Sequence, residues 1–332
     1  MIVKTDVDAV MPFAGLSPDM VLDAAASLGF EGDGRLFALN SYENRVYQMG
    51  RAEGALVLKF YRPARWTDAQ IAEEHAFTAE LAAAEMAVAS PLEVDGRTLF
   101  RFADFRFAVF PWLRGRSPEL DAPEARAMLG RALARLHRIG AVQPFRVRVR
   151  LDIERFGFSA RDQVLDSGLL PQNMEESYLR ATDALLERVE RVFDEVGPTR
   201  QIRLHGDCHL GNLLWNEHGP VFVDLDDCMT GPAIQDLWMV LSGSAAEQQL
   251  QWRELVEGYE QFGVLDYGEL RLVEPLRSLR MLHHAAWLAT RWSDPAFPRA
   301  FPWFGGVRYW EEHVNDLLAQ VAAVDDPPLL SG

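Results

Sequence analysis

The first third of the chain alternates short apolar runs with polar turns, a pattern typical of β-strands. The predicted strands lie in residues 36–49, which hold two runs around a polar turn at 40–44, and in residues 55–61, 98–102 and 105–112. The run at 55–61 is apolar except for one charge, Lys59. Residues 68–86 are rich in Ala and Glu, contain no Pro or Gly and follow Thr67, which predicts one helix with a Thr N-cap.

After residue 114 the apolar positions recur every three or four residues, which predicts amphipathic helices. The predicted helical segments are residues 122–139, 175–196 and 233–324, the last interrupted by loops at 263–268 and 293–306. Residues 204–225 hold two short apolar runs, and the Arg-rich residues 141–173 have no clear pattern. A strand-rich third followed by a helical remainder predicts an α+β protein of two lobes: a small sheet-rich lobe over 1–112 and a larger, mainly helical lobe over 113–332.

Charge and cysteine content narrow the class of protein. The 49 acidic and 33 basic side chains give a formal net charge of -16, whereas a nucleic-acid-binding protein needs a basic face. The chain has no run of about 18 apolar residues that would span a membrane. Its two cysteines, Cys208 and Cys228, are too few for a disulfide framework, which favours a reducing compartment. We therefore expect a cytoplasmic monomer that binds neither nucleic acid nor membrane.

The most informative motif is His-Gly-Asp-Cys-His-Leu-Gly-Asn at residues 205–212. Asp207 precedes Asn212 by five residues, the spacing of the catalytic loop in protein kinases. An ionised Asp orients the acceptor hydroxyl and takes its proton, while an Asn oxygen binds Mg²⁺ without adding negative charge beside the triphosphate. The motif predicts Asp207 as the proton acceptor and Asn212 as a metal ligand.

Two further motifs have the order expected around a nucleotide. Val-Asp-Leu-Asp-Asp at 223–227 follows an apolar run and is similar to the kinase Asp-Phe-Gly element, which predicts Asp224 as a catalytic magnesium ligand. Val-Leu-Lys-Phe at 57–60 is similar to the Val-Ala-Ile-Lys strand, whose lysine contacts phosphates and pairs with a Glu of the next helix. Glu73 and Glu74 are the candidates for that pair, and we favour Glu74.

Each motif alone has an ordinary structural explanation. A strand lysine is usually an edge residue, neighbouring acids often cap helices, and His-Gly-Asp can be a simple turn. Their order along the chain is more specific: strand Lys, helix Glu, apolar strand, Asp and Asn, then strand Asp. This order predicts a protein-kinase-like fold with ATP and Mg²⁺ between the two lobes.

These motifs resemble the aminoglycoside phosphotransferase/choline kinase branch of the protein-kinase-like superfamily, in which Gly replaces the Arg after the catalytic His. More narrowly, they resemble the bacterial stress response kinase A family. The similar segments are residues 39–47, 59–63, 73–75, 204–212, 222–227, 231–238 and 294–298. The resemblance implies a cytoplasmic, ATP- and Mg²⁺-dependent kinase that phosphorylates protein Ser or Thr during oxidative and envelope stress. It also implies that Ser41 contacts ATP.

The nucleotide site departs from that of ordinary kinases. No Gly-x-Gly-x-x-Gly precedes Lys59, and the polar turn at 40–44 takes its place. Phosphate contacts would then come from the Ser41 hydroxyl and from exposed backbone N–H groups. The adenine is expected against Phe110 and Trp112, where the apolar strand ends and the linker between lobes begins.

Several other residues have a structural interpretation that outweighs a functional one. Zinc-site spacing is not matched by the four candidate ligands His205, Cys208, His209 and Cys228. Asp236 is expected to brace the backbone of the catalytic loop. The aromatic residues between 287 and 310 predict packing more than an acceptor pocket. Residues 235–332 hold 14 acidic and 7 basic side chains, which suits a cationic acceptor but indicates solubility more simply.

The leading hypothesis is a kinase that phosphorylates a Ser or Thr hydroxyl of a protein. Its alternatives are a small-molecule kinase for an aminoglycoside, choline or homoserine-like alcohol, a nucleotide-binding pseudokinase scaffold, and a zinc-dependent hydrolase. The joint presence of Lys59, Asp207, Asn212 and Asp224 argues against the pseudokinase, because such proteins commonly lose one of these groups.

Overall fold

The apolar runs of the first third form one antiparallel sheet. The computed structural model describes residues 12–328, and this sheet has the strand order β1-β2-β3-β5-β4. Its strands are β1 (Leu36–Ala38), β2 (Arg45–Met49), β3 (Leu56–Phe60), β4 (Phe100–Phe102) and β5 (Phe105–Pro111). Lys59 pairs with Val46 on one side and Ala108 on the other. It therefore lies in a central strand and not at an edge.

Each face of the sheet is covered by a helix. The outer face packs against α1 (Pro18–Ala26) through a cluster that includes Leu58 and Phe60. The inner face packs against α2 (Asp68–Ala83), which begins at Thr67 with the predicted N-cap. Since side chains alternate between the faces of a strand, Lys59 points to the inner side, toward the rest of the molecule.

The prediction of a single helix in the first third was wrong, because α1 precedes the sheet. The buried residues of α1 are Val21, Ala24 and Ala25. Such short side chains give a weak apolar pattern, and α1 is stabilised by the sheet that it covers more than by its own sequence.

The remainder of the described chain is mainly helical, as the spacing of apolar residues predicts. Its α-helices are α3 (Pro123–Gly140), α4 (Ser159–Asp166), α5 (Glu175–Val196), α6 (Ile234–Trp238), α7 (Ala245–Tyr259), α8 (Val273–Arg291), α9 (Ala296–Ala300) and α10 (Val307–Asp325). The helix α9 lies inside a predicted loop, and α4 lies in the segment that the sequence left unassigned. Within residues 12–328, no helix has both the length and the apolar character that crossing a membrane requires.

Two small ladders hold the segment with the His-Gly-Asp motif. They pair β6 (Ile202–Leu204) with β9 (Met229–Gly231), and β7 (Leu213–Asn216) with β8 (Gly219–Phe222). The motif therefore lies between β6 and β7, and the Asp-Leu-Asp segment lies between β8 and β9. Because the β7–β8 pair is nested inside the β6–β9 pair along the chain, the two loops that join the pairs lie side by side.

Candidate active site

The ammonium group of Lys59 lies among three carboxylates. Its Nζ is 3.1 Å from Asp224 Oδ1, 3.0 Å from Asp226 Oδ1 and 3.6 Å from Glu74 Oε1. Burial opposes the charge, but the carboxylates of Asp226, Glu74 and Asp224 outweigh it and hold the pKa of Lys59 well above its usual range. Glu73 points away and accepts backbone N–H bonds from residues 146–148. The ion pair expected from the sequence is thus made by Glu74.

Asp226 is as deeply buried as Glu74 and has more cationic partners. Its carboxylate receives Asn44 Nδ2 at 3.2 Å and contacts the guanidinium of Arg65, which also contacts Asp227. Burial would raise the pKa of Asp226, but Lys59, Arg65 and Arg148 hold it well below its usual range. Because the side chain of Asp226 is 3% exposed and already shared between cations, its position suits an organising role better than contact with a ligand.

The backbone of the catalytic loop is fixed by Asp236, as the sequence analysis predicted. Its carboxylate accepts the N–H groups of His205 and Gly206 at 2.9 and 2.8 Å. Gly206 has a φ of +86°, and a Cβ there would lie 2.4 Å from the carbonyl oxygen of Asp227, so only glycine fits. His205 Nε2 lies 3.0 Å from the carbonyl oxygen of Val223. The two loops are therefore joined directly.

Asp207 lies at the end of this loop with three partners. Asn212 Nδ2 donates to its backbone oxygen at 2.9 Å and to its carboxylate at 3.2 Å. His209 Nε2 is 3.4 Å from Oδ2, while His209 Nδ1 accepts the N–H of Gly211, so the proton is assigned to Nε2. The guanidinium of Arg280 contacts Oδ1. Burial would raise the pKa of Asp207, but His209 and Arg280 hold it well below its usual range, so the carboxylate is ionised at neutral pH.

The amide oxygen of Asn212 and the carboxylate of Asp224 suit Mg²⁺ as ligands. Asn212 turns its N–H toward Asp207, which leaves its amide oxygen for another partner. The Asp224 side chain is 53% exposed, and its φ of +56° is a strained left-handed conformation of the kind found at functional sites. One carboxylate and one amide fit Mg²⁺, because this ion keeps several waters and takes other ligands from substrate phosphates.

The described residues provide no candidate zinc site. Among residues 12–328, no three His, Cys, Asp or Glu side chains are grouped so that they could hold a metal ion. Cys208 and Cys228 are both buried, and burial raises the pKa of Cys228 to about 12. Neither thiol has the accessible thiolate character of a metal ligand or a redox switch.

The inner face of the sheet carries the predicted adenine contacts. The strand register pairs Val57 with Phe110 and Lys59 with Ala108, so Phe110 and Lys59 share a face. Phe110 is 7% exposed and forms an inner wall, whereas Trp112 is 37% exposed. A cavity of about 240 Å³ is lined by Trp112 and Phe37, together with Gln48, Ala55 and three arginines. Ser41 lies in the turn between β1 and β2.

That turn is tied to α8 through Glu43. Its carboxylate accepts Trp287 Nε1 at 2.6 Å, contacts the guanidinium of Arg291, and lies 3.0 Å from Arg62 Nε. Arg62 also binds Asp294 at 2.6 Å. The turn expected to contact phosphates is thereby held against the helical part of the molecule.

Sequence patterns did not mark Arg65, Arg280 or Glu43, and among the acids of the 223–227 motif only Asp224 was predicted to have a role. Arg280 and Asp207 are 73 residues apart, and Glu43 and Arg291 are 248 apart. No local pattern marks such pairs. Asp226 alone carried a signal, since it lies two residues after Asp224 in the same motif.

Comparison with known proteins identifies the family of the chain. The model of the phosphotransferase enzyme family (APH) matches residues 36–273. "Stress response kinase A" of Escherichia coli (strain K12) is 42% identical over 323 residues, which cover 97% of this chain and 98% of the relative. "Serine/threonine protein kinase RdoA" of Salmonella typhimurium (strain LT2) is 43% identical over the same shares of both chains.

Solved structures show the same fold at low identity. Amicoumacin kinase hAmiN, in complex with AMP-PNP, Ca²⁺ and amicoumacin, has a TM-score of 0.72 at 18% identity and covers 95% of each chain. Spectinomycin phosphotransferase APH(9)-Ia, in complex with ADP and spectinomycin, has a TM-score of 0.68 at 13% identity and covers 94% of this chain and 99% of its own. The two-lobed kinase-like fold is therefore confirmed. The chain belongs to the phosphotransferase enzyme family and, within it, is a kinase of the stress response kinase A family.

Proposed function

We propose that this kinase transfers the γ-phosphoryl group of ATP to a Ser or Thr hydroxyl of a protein, with Asp207 as the proton acceptor. The observation that carries the proposal is the grouping of Lys59 with Glu74 and Asp224, held by the His205–Val223 bond next to an ionised Asp207. Positioning and charge stabilisation are most of what phosphoryl transfer requires of a protein.

The nucleotide would lie along the inner face of the sheet. Lys59 would bind phosphate oxygens, and Ser41 would donate its hydroxyl from the turn between β1 and β2. Trp112 and the inner wall at Phe110 would contain the adenine. The strand register supports this arrangement, because Lys59 and Phe110 lie on the same face of the sheet.

Asn212 and Asp224 would hold Mg²⁺ against the phosphates. The ion, when bound, neutralises charge that develops on the transferred group and on the leaving ADP. Lys59 keeps Asp224 in place at 3.1 Å, and Asn212 is kept in place by its bond to Asp207. The side-chain amide of Asn212 would thus bind the metal ion through its oxygen and Asp207 through its N–H group.

At Asp207, the acceptor hydroxyl would take the place that Arg280 occupies on Oδ1. The hydroxyl proton passes to the carboxylate as the oxygen bonds to phosphorus and the bond to ADP breaks. Asn212 and His209 hold the other carboxylate oxygen, so a single oxygen is left to orient the acceptor. This arrangement serves any alcohol, and it does not by itself select a protein.

The choice of a protein acceptor follows from relatedness. A relative at 43% identity is named a serine/threonine protein kinase, whereas the solved structures whose titles name antibiotics are 13–18% identical. A small-molecule kinase is the second candidate, since the same fold serves amicoumacin and spectinomycin in those neighbours.

Incubation with γ-labelled ATP and Mg²⁺ separates the two candidates. One arm contains a general protein substrate such as myelin basic protein, and the other contains amino alcohols and aminoglycosides without protein. We expect label in the protein, and far less of it when Asp207→Asn replaces the wild type. Turnover of an amino alcohol with no labelled protein would overturn the protein-kinase assignment.

A further inference from the structure

One face of α8 forms a wall of the site beside Asp207. Arg280, His284, Trp287 and Arg291 follow one another at spacings of four, three and four residues, so they share a helix face. Trp287 and Arg291 bind Glu43 of the turn at residues 40–44, and Arg280 contacts Asp207. This wall therefore runs from the turn to the place where the acceptor hydroxyl must lie.

The charge of this wall is opposite to that of its surroundings. Residues 235–332 hold 14 acidic and 7 basic side chains, yet α8 contains a single acid, Glu274, and three arginines. Glu274 is in the first turn, where it pairs with Arg277 at 3.0 Å. Burial lowers the pKa of His283 to about 4 and lowers that of His284. At neutral pH the positive charge of this face of α8 thus comes from arginine.

Arg280 has binding capacity to spare. A guanidinium offers five N–H donors, and within residues 12–328 the only carboxylate in ion-pair contact with Arg280 is Asp207. Its side chain is 38% exposed. When an acceptor hydroxyl takes over Oδ1 of Asp207, this guanidinium loses its partner beside the bound acceptor.

Arg155 is a second cation on the same side. Arg155 is exposed, and in the described part of the chain its guanidinium has no ion-pair partner. Its charge contributes to the lowered pKa of His283, and the ring of the adjoining Phe156 lies 4.6 Å from that of His283. Phe156, next to Arg155 in the chain, therefore packs on His283, which lies one turn along α8 from Arg280.

We propose that Arg280, assisted by Arg155, binds an anionic group next to the acceptor hydroxyl, so that the kinase selects Ser or Thr residues flanked by carboxylate or phosphate groups. The inference rests on the proposed protein-kinase function and specifies its substrate class. A guanidinium matches the planar geometry of a carboxylate and binds it through two parallel hydrogen bonds. A cationic acceptor would meet this wall with like charge.

The test uses three peptides that share one Ser and differ only in its neighbours: Asp and Glu, Asn and Gln, or Lys and Arg. Label transfer from ATP gives kcat/KM for each. We expect the acidic peptide to exceed the neutral one by about tenfold, as a charged hydrogen-bonded pair would produce. Arg280→Gln should bring this ratio close to one, Arg280→Lys should keep part of it, and Arg155→Gln should reduce it.

The ratio distinguishes recognition from general damage, because a variant that only disturbs Asp207 slows all peptides alike. Arg180→Gln removes an exposed arginine from α5 whose partner is Glu176 and should leave the ratio unchanged. Equal kcat/KM values of the wild type on the three peptides would overturn this inference and leave the proposed function standing. An equal fold-loss of kcat/KM on all three peptides in Arg280→Gln would do the same. Labelling of no peptide, with amino alcohols phosphorylated instead, would overturn the proposed function and this inference with it.

Discussion

At the scale of single residues, Lys59 has more negative charge around it than it can neutralise. The chain contains only two lysines, Lys4 and Lys59, among 33 basic side chains. Burial raises the pKa of Glu74 to about 7, with Asp226 acting in the same direction and Lys59 opposing both. The charge on Glu74 therefore depends on the nearby ammonium, and the protein maintains this cluster at a cost in stability for the sake of its chemistry.

Lys59→Met tests this dependence. Removing one partner of a buried ion pair leaves uncompensated charge, so we expect the free energy of unfolding to fall by about 3–5 kcal/mol. Adding Glu74→Gln to the variant should restore part of the loss, because one of the orphaned carboxylates is then gone. Urea unfolding measures both effects.

The matched control is Arg180→Met, which breaks an exposed helix pair with Glu176 and should cost less than about 0.5 kcal/mol. Similar losses in Lys59→Met and Arg180→Met would contradict the account of the buried cluster.

At the scale of elements, the catalytic loop depends on a very short helix. The five-residue α6 carries Asp236, which binds the N–H groups of His205 and Gly206. Isolated helices of this length are unstable. Glu269 supports it by accepting the N–H of Ile234 at 3.1 Å, and burial raises the pKa of Glu269 to about 7.

Glu269 should make stability depend on pH. Its folded pKa lies above its ordinary value of 4.5, so the folded state holds the proton more tightly, and stability declines as pH rises from about 4.5 through 7. The shift corresponds to about 3 kcal/mol. Glu269→Gln keeps an oxygen for the N–H of Ile234 but does not titrate. We expect its unfolding free energy, relative to the wild type, to rise by about that amount between pH 4.5 and 8.

Denaturant unfolding of both proteins across this pH range measures the difference between their unfolding free energies. The contributions of all other titrating groups cancel in that difference. Curves that stay parallel from pH 4.5 to 8 would show that Glu269 keeps an ordinary pKa in the folded protein.

The elements that the sequence predicted are those whose signal is local. The helix α5 matches its predicted bounds because buried residues recur along one face at helical spacing, and β3 and β5 match because a buried strand is a continuous apolar run. The helix α1 escaped prediction because its buried side is made of small residues that depend on the sheet for their burial.

At the scale of the whole molecule, the site joins segments that are far apart in the chain. Lys59 and Asp224 are separated by 165 residues, and Arg62 and Asp294 by 232. Motif spacing predicted the first contact, because the chemistry of phosphoryl transfer demands a known set of groups. It did not predict Arg62–Asp294, Arg280–Asp207 or the ties of Glu43, since long-range ion pairs leave no periodic or compositional trace.

The contacts of Glu43 also position the turn at residues 40–44, between β1 and β2. Glu43 connects it to Trp287 and Arg291 of α8, the helix that carries Arg280. The turn that we propose to contact the nucleotide and the residue that we propose to bind the acceptor are therefore linked through one helix. A substitution on this face of α8 therefore acts directly on the turn at residues 40–44 through the contacts of Glu43.

The central claim is that Asp207 accepts the proton of the hydroxyl while other groups bind the nucleotide. Its most direct test measures ATP–Mg²⁺ binding and label transfer on the same samples of wild type and Asp207→Asn, after thermal unfolding has shown that both are folded. We predict nucleotide affinity within about threefold of the wild type and transfer slower by about 10²–10⁴-fold, the usual contribution of a general base. Equal transfer rates in the two proteins would contradict the claim.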